Sequence, residues 1–184
     1  MGAIDGAEIG GAGKGRREGA FRALLAFHAE VSRKAATIAE RHRERLRCAR
    51  GCSDCCLDGI TVFEVEAERI RRLAPEVLKE TPHPAGRCAF LDPEGGCRVY
   101  EHRPYVCRTQ GLPLRWYGRR EEGPSLVELR SICPLNEPGT PIEDLPAADC
   151  WEIGPGEGRL ASIQTAFGGR AARVALRALF TPRP

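Results

Sequence analysis

Nine cysteines in 184 residues are the side chains whose type and spacing could do chemistry. Cys48, Cys52, Cys55 and Cys56 form a dense run, Cys88, Cys97, Cys107 and Cys133 follow at wider intervals, and Cys150 stands apart. Thiolates hold zinc, iron and other soft or borderline metals well. Cys52 and Cys55 have the spacing that lets a tight turn aim both sulfurs at one ion. The adjacent Cys55 and Cys56 do not: neighbouring side chains diverge in extended chain and lie about 100° apart on a helix. The pair therefore implies two metal sites, a polynuclear cluster, or one cysteine that is not a ligand. Neither the two spaced pairs of a zinc finger nor the ferredoxin run ending in Cys-Pro is present. The spacing argues for metal without naming which metal.

The bulk numbers agree. An odd cysteine count leaves one unpaired, and a chain without the apolar segment of a signal peptide is expected to stay in the cytoplasm, where disulfide networks are rare. No window reaches the roughly 20 apolar residues of a membrane span. Lys and Arg number 28 against 25 Asp and Glu, a net charge of +3, which makes no case for nucleic acid. Gly10-Gly11-Ala12-Gly13-Lys14-Gly15 fails as a phosphate loop, because Gly15 stands where a Ser or Thr should bind magnesium and no strand precedes it.

The elements that must position the cysteines read as an α+β fold: helices flanking a small, loop-rich metal core, with a short antiparallel hairpin. Residues 1–18 are expected to be a flexible tail, 19–168 one cysteine-cluster domain, and 169–184 a short helical tail. Phe21, Leu24, Leu25, Val31, Ala35, Ile38 and Leu46 recur at helical spacing over 20–47. A second helix is expected at 62–73, with Thr61 to Glu64 as its capping box. Leu112–Tyr117 and Leu126–Leu129 read as two strands joined by a charged Gly-Pro turn, and 157–167 as a last helix.

Three blocks resemble the YkgJ-like cysteine-cluster family, described as a zinc- or iron-chelating domain with a CxxCxxCC signature. They are Cys48 to Cys56, then Cys88 to Asp92 with Gly96 to Arg108, then Cys133-Pro134-Leu135-Asn136. The resemblance spans about 48–136. It departs from the pattern at Cys48, which three residues rather than two separate from Cys52. It implies eight cysteine ligands: Cys48, Cys52, Cys55, Cys56, Cys88, Cys97, Cys107 and Cys133. Related members resemble iron–sulfur oxidoreductases, so it also implies an iron–sulfur cluster with a redox or catalytic role. The alternative is a zinc-stabilised interaction module without turnover.

Thiolates on a metal leave net negative charge that needs cations and N–H donors nearby. Arg103 and Arg108, flanking Cys107, are expected to supply them, with Glu64 accepting from either arginine and Tyr100 as a packing residue. No nucleophile–base pair or paired carboxylates assign a catalytic residue. The partner, protein or small molecule, stays open.

Overall fold

The computed structural model describes residues 7–119, 125–169 and 172–181. The fold is α+β, with four α-helices and two small sheets among the described residues. Helix α1 (Ala7–Arg41) presents Ala20, Leu24, Phe27, Val31, Ala35 and Ile38 three or four residues apart, one continuous stripe. The stripe is buried against Leu160, Ile163 and Phe167 of α4 (Ile153–Gly168). Tyr105 and Trp151 close this core, the indole Nε1–H donating to the phenol oxygen at 2.9 Å and the phenol donating to the Ile153 carbonyl at 3.1 Å. Gly156 is required there, because a Cβ at that position would sit inside the Tyr105 phenol.

Two expectations about α1 change. Its first described residue is Ala7, so residues 7–18 are helical rather than a flexible tail; residues 1–6 lie outside the described residues. Arg17 stacks over the Phe167 ring at 3.9 Å and Glu18 pairs with Arg72 at 2.9 Å, which anchors this end. The helix also stops at Arg41 instead of 47. Buried Arg45 donates to the carbonyls of Asn136, Glu137 and Thr140, and the Asn136 side chain accepts the Arg47 N–H at 2.8 Å. The chain is drawn off the helix axis before it reaches Cys48.

A second core forms around α2 (Glu64–Leu73). Val62, Ala67, Ile70, Phe90, Leu91, Val99, Leu176 and Leu179 are buried together with Cys88, and Cys56 and Cys97 pack against them. Strand β1 (Thr61–Phe63) pairs antiparallel with β5 (Arg173–Ala175), and a 3-10 turn, Leu176–Phe180, follows. The C-terminal segment is therefore a strand and a turn built into the second core, not a helical tail; Arg170, Ala171 and 182–184 lie outside the described residues. The α2 cap also differs. Glu66, not Thr61 or Glu64, closes it by accepting the Phe63 N–H at 3.3 Å, because Thr61 is committed to β1.

The expected hairpin is β2 (Leu114–Arg119) against β3 (Leu126–Ser131), with Leu114 opposite Ser131; its turn, 120–124, lies outside the described residues. Strand β4 (Trp151–Glu152) adds in parallel to β2. Among the described residues no helix is long and apolar enough to cross a membrane.

Candidate metal centre

The cysteines sit on loops that arginines and glycine turns hold in place. The Cys88 N–H donates to the Cys56 carbonyl at 3.0 Å, tying the first cysteine run to the second, and Leu91 bridges to Cys97 across the turn. In that turn Asp92 Oδ1 accepts the Gly96 N–H at 2.6 Å. Gly95, at φ 80°, lies so near the Gly51 carbonyl that a Cβ would approach it to 2.9 Å, so the two cysteine loops touch backbone to backbone. Arg87 donates to the Ser53 carbonyl at 2.7 Å, and Arg98 to the Ala89 carbonyl at 2.7 Å. Arg177 reaches from the C-terminal turn to the carbonyls of His83 and Arg87, both at 2.7 Å, and to Asp58 at 2.9 Å. Helix α3 (Tyr105–Thr109) carries Cys107, with Pro104 at its N-cap.

The thiols fall into two neighbourhoods. Cys48 Sγ lies 3.5 Å from Asn136 Nδ2, beside Gly111, where any Cβ would clash with the sulfur. Burial raises its pKa, Asn136 opposes this, and the charges of Cys52, Cys133 and Cys55 raise it further. Burial likewise pushes Cys107 up to about 12, followed by Cys88, Cys97, Glu66 and Cys55. Cys88 and Cys97 are raised mainly by burial, and Cys88 acts on Cys97. At the junction, Cys56 donates to Cys55. That bond holds Cys55 down at about 6 and drives Cys56 up, with Cys88 and Cys107 adding to the rise. Cys150 is buried elsewhere, in the fields of Arg130, Arg115, Glu128 and Asp149. Among the described residues no three Cys, His, Asp or Glu side chains form a finished metal cage. The sulfurs are neighbours rather than a closed coordination shell.

The donor set fits a thiophilic metal, and the surroundings supply positive charge. Arg103 stands over the Tyr100 ring at 3.8 Å and acts on Cys97. Tyr100 is 58% exposed, so it is a platform for Arg103 and not a core residue. Arg108 is buried, donating to Ser32 Oγ at 2.8 Å and to the Glu101 carbonyl at 3.1 Å, where Arg69 also donates at 3.1 Å. Burial, then Arg69 and Arg103, lower Arg108 to about 10. The buried Nε atoms of Arg69, Arg103 and Arg108 have no hydrogen-bond partner among the described residues. Glu64 receives Arg71 at 2.7 Å.

Sequence reasoning missed Glu66, which is 3% exposed. Its Oε1 accepts the Tyr105 N–H at 2.7 Å and lies 3.2 Å from His28 Nε2. Arg69 stands 2.7 Å from His28 Nδ1. Arginine only donates, so Nδ1 is the acceptor and the Nε2–H faces Glu66. Burial, the largest influence, lowers the His28 pKa and keeps the ring neutral. The available signal was position: Glu66 lies four residues before Ile70, on the buried side of α2.

Residues 47–133 match the family model CxxCxxCC, described as "Putative zinc- or iron-chelating domain". The class is thus a cysteine-rich metal-binding domain, and the matched segment holds all eight ligand candidates. At the level of the particular protein, no curated protein and no solved structure matches the chain.

Proposed function

We propose that Cys48, Cys52, Cys55, Cys56, Cys88, Cys97, Cys107 and Cys133 bind iron–sulfur in two adjoining thiolate sets and that the centre has a redox or catalytic role. The observation that carries the reading is the position of the vicinal pair between two groups of sulfurs. The charges of Cys55 and Cys133 reach Cys48, those of Cys88 and Cys107 reach Cys56, and Cys55 also reaches Cys107. Arg103 and Arg108 supply compensating charge, Arg103 beside Cys97 and Arg108 one residue past Cys107.

Anaerobically purified protein should be brown, carry iron and acid-labile sulfide, and bleach on reduction. A colourless protein with stoichiometric zinc would overturn this reading. The donor type favours that second, structural reading as well, since cysteine thiolates alone close tetrahedral zinc sites. In either case Cys55→Ser and Cys56→Ser should each lose metal, from different sets.

A further inference from the structure

A cleft of about 390 Å³ opens between β1, the start of α3 and the first turns of α4. This is within the size range of small-molecule sites. Val62, Phe63, Val106, Leu160 and Ala161 make its walls apolar. Gly154 and Gly158 keep it open, since a Cβ at either would meet nothing within 4 Å. Its ionisable lining is two carboxylates, Glu66 and Glu157, against one guanidinium, Arg173. Arg173 is already engaged: it donates to Thr61 Oγ1 at 3.0 Å and to the Thr61 carbonyl at 2.7 Å, and it stacks on Phe63 at 4.8 Å.

Glu66 is nearly buried and lines the cleft beside its existing partners. Its Oε1 takes the Tyr105 N–H and faces the neutral His28, but among the described residues the only donor on Oε2 is the Phe63 N–H, at 3.3 Å. A carboxylate oxygen accepts two hydrogen bonds comfortably, so Oε2 has capacity left for a donor that enters the cleft. Glu157 places a second negative charge near the Tyr105 hydroxyl, whose pKa burial raises most, the Trp151 bond lowers and Glu157 raises further. The cleft is thus net negative in a chain of net charge +3.

The geometry points to this cleft as the binding site for a small organic cation with an apolar body, its charged end toward Glu66 and Glu157 and its body against Phe63, Val106 and Leu160. A carboxylate-ended molecule would meet two like charges, and a neutral one would forgo the ionic contact. Because Val106 precedes Cys107, the bound molecule would lie one residue from a proposed sulfur ligand. What the cation meets there rests on the metal reading above; the binding itself does not.

Calorimetric titration of the full-length, metal-loaded protein with hexylammonium, hexanoate and hexan-1-ol tests it. Hexylammonium should bind at least tenfold tighter than the other two. Glu157→Gln should weaken it several-fold. Gly158→Leu, a better helix former projecting into open space, should abolish binding with the melting temperature and metal content unchanged. Equal binding of all three probes, a preference for hexanoate, or undiminished hexylammonium binding by Gly158→Leu would overturn the assignment. Metal content, measured on the same samples, separates this result from the metal reading: selective cation binding to a zinc-loaded protein would sustain the cleft while sinking the iron–sulfur proposal.

Discussion

The half of the molecule built by α1 and α4 and the half that carries the cysteines are held together by different physics. In the first, a long stripe with Leu24 fully buried packs on Leu160 and Phe167, and burial of apolar area supplies the stability. In the second, the chain from 48 to 107 has only one short strand and two α-helices, α2 and α3. Its loops are fixed by guanidinium groups reaching carbonyls: Arg87 to Ser53, Arg98 to Ala89, Arg177 to His83 and Arg87. Such contacts set geometry but bury little apolar surface. The smaller core around α2 buries apolar surface beside these loops, but the loops themselves need a further source of free energy, and the seven thiols between 48 and 107 are where metal would provide it.

Metal removal should break the comparison most visibly. Structural metal sites contribute roughly 10 kcal/mol or more to the folding of the segments that bind them. Chelation is therefore expected to unlock the cysteine half, with loss of amide exchange protection at Leu91, Val99 and Cys107, while α1 and α4 keep theirs. Simultaneous loss of protection in both halves would show that they are one cooperative unit.

The converse experiment strikes the helical half. Leu24→Ala removes a fully buried side chain and should cost about 2–5 kcal/mol. Thermal unfolding should shift accordingly, with metal stoichiometry unchanged at temperatures where the variant is folded. Loss of metal in the folded variant would place the centre under the control of the helical core.

A smaller effect is expected at the arginine staples. Arg177→Met leaves the carbonyls of His83 and Arg87 without their donor and removes the ion-pair partner of Asp58, which keeps only its bonds from the Gly59 and Gly86 N–H groups among the described residues. Loops that present ligands then lose their fixed spacing, and supporting contacts of this type typically change metal affinity about 10- to 100-fold. Competition with a chromophoric chelator would measure it, and an unchanged affinity would mean that the staples shape the loops without supporting the centre.

These two halves were not equally legible. The helical half was readable because periodicity reports burial directly: Leu24, Val31, Ala35 and Ile38 mark the α1 face, and Leu160, Ile163 and Phe167 the matching face of α4. The hairpin was readable from alternation and its Gly-Pro turn. In the cysteine half, residue type announced the chemistry, but local pattern did not report the contacts that place the sulfurs. Asn136, within a recognised motif, reaches Cys48, Gly111 and the Arg47 N–H, all distant in sequence. Arg45 and Arg177 carry no local sequence signal and act as staples only once the loops they bind are in place. Both helix-end errors have the same origin: long-range partners, Asn136 at one end of α1 and Arg72 at the other, overrode the local signal.

Glu66 joins the two halves, and its partner His28 gives the smallest and most specific prediction. Oε1 of this carboxylate faces His28 of α1 and accepts the N–H of Tyr105, which begins the helix carrying Cys107. The folded protein holds His28 neutral with a lowered pKa, chiefly through burial. In the unfolded chain the imidazole takes up a proton near its ordinary value of about 6.5. Above that pH both states hold the ring neutral, and His28 adds no pH dependence. Below it the unfolded chain binds a proton that the folded one refuses, so stability falls by up to about 1.4 kcal/mol per pH unit until the folded value is reached. Glutamine has an acceptor for Arg69 and a donor for Glu66, but it does not titrate. His28→Gln should therefore unfold like the parent at pH 7.5 and lose less stability than the parent between pH 6.5 and 5.5. Comparing the two melts cancels the proton uptake of the thiols, which both proteins share. Identical acid slopes would mean that folding leaves the proton affinity of the imidazole unchanged, and a parent that loses less stability than His28→Gln would mean a charged ring, making the joint between the halves an ion pair between His28 and Glu66 and not a neutral hydrogen bond.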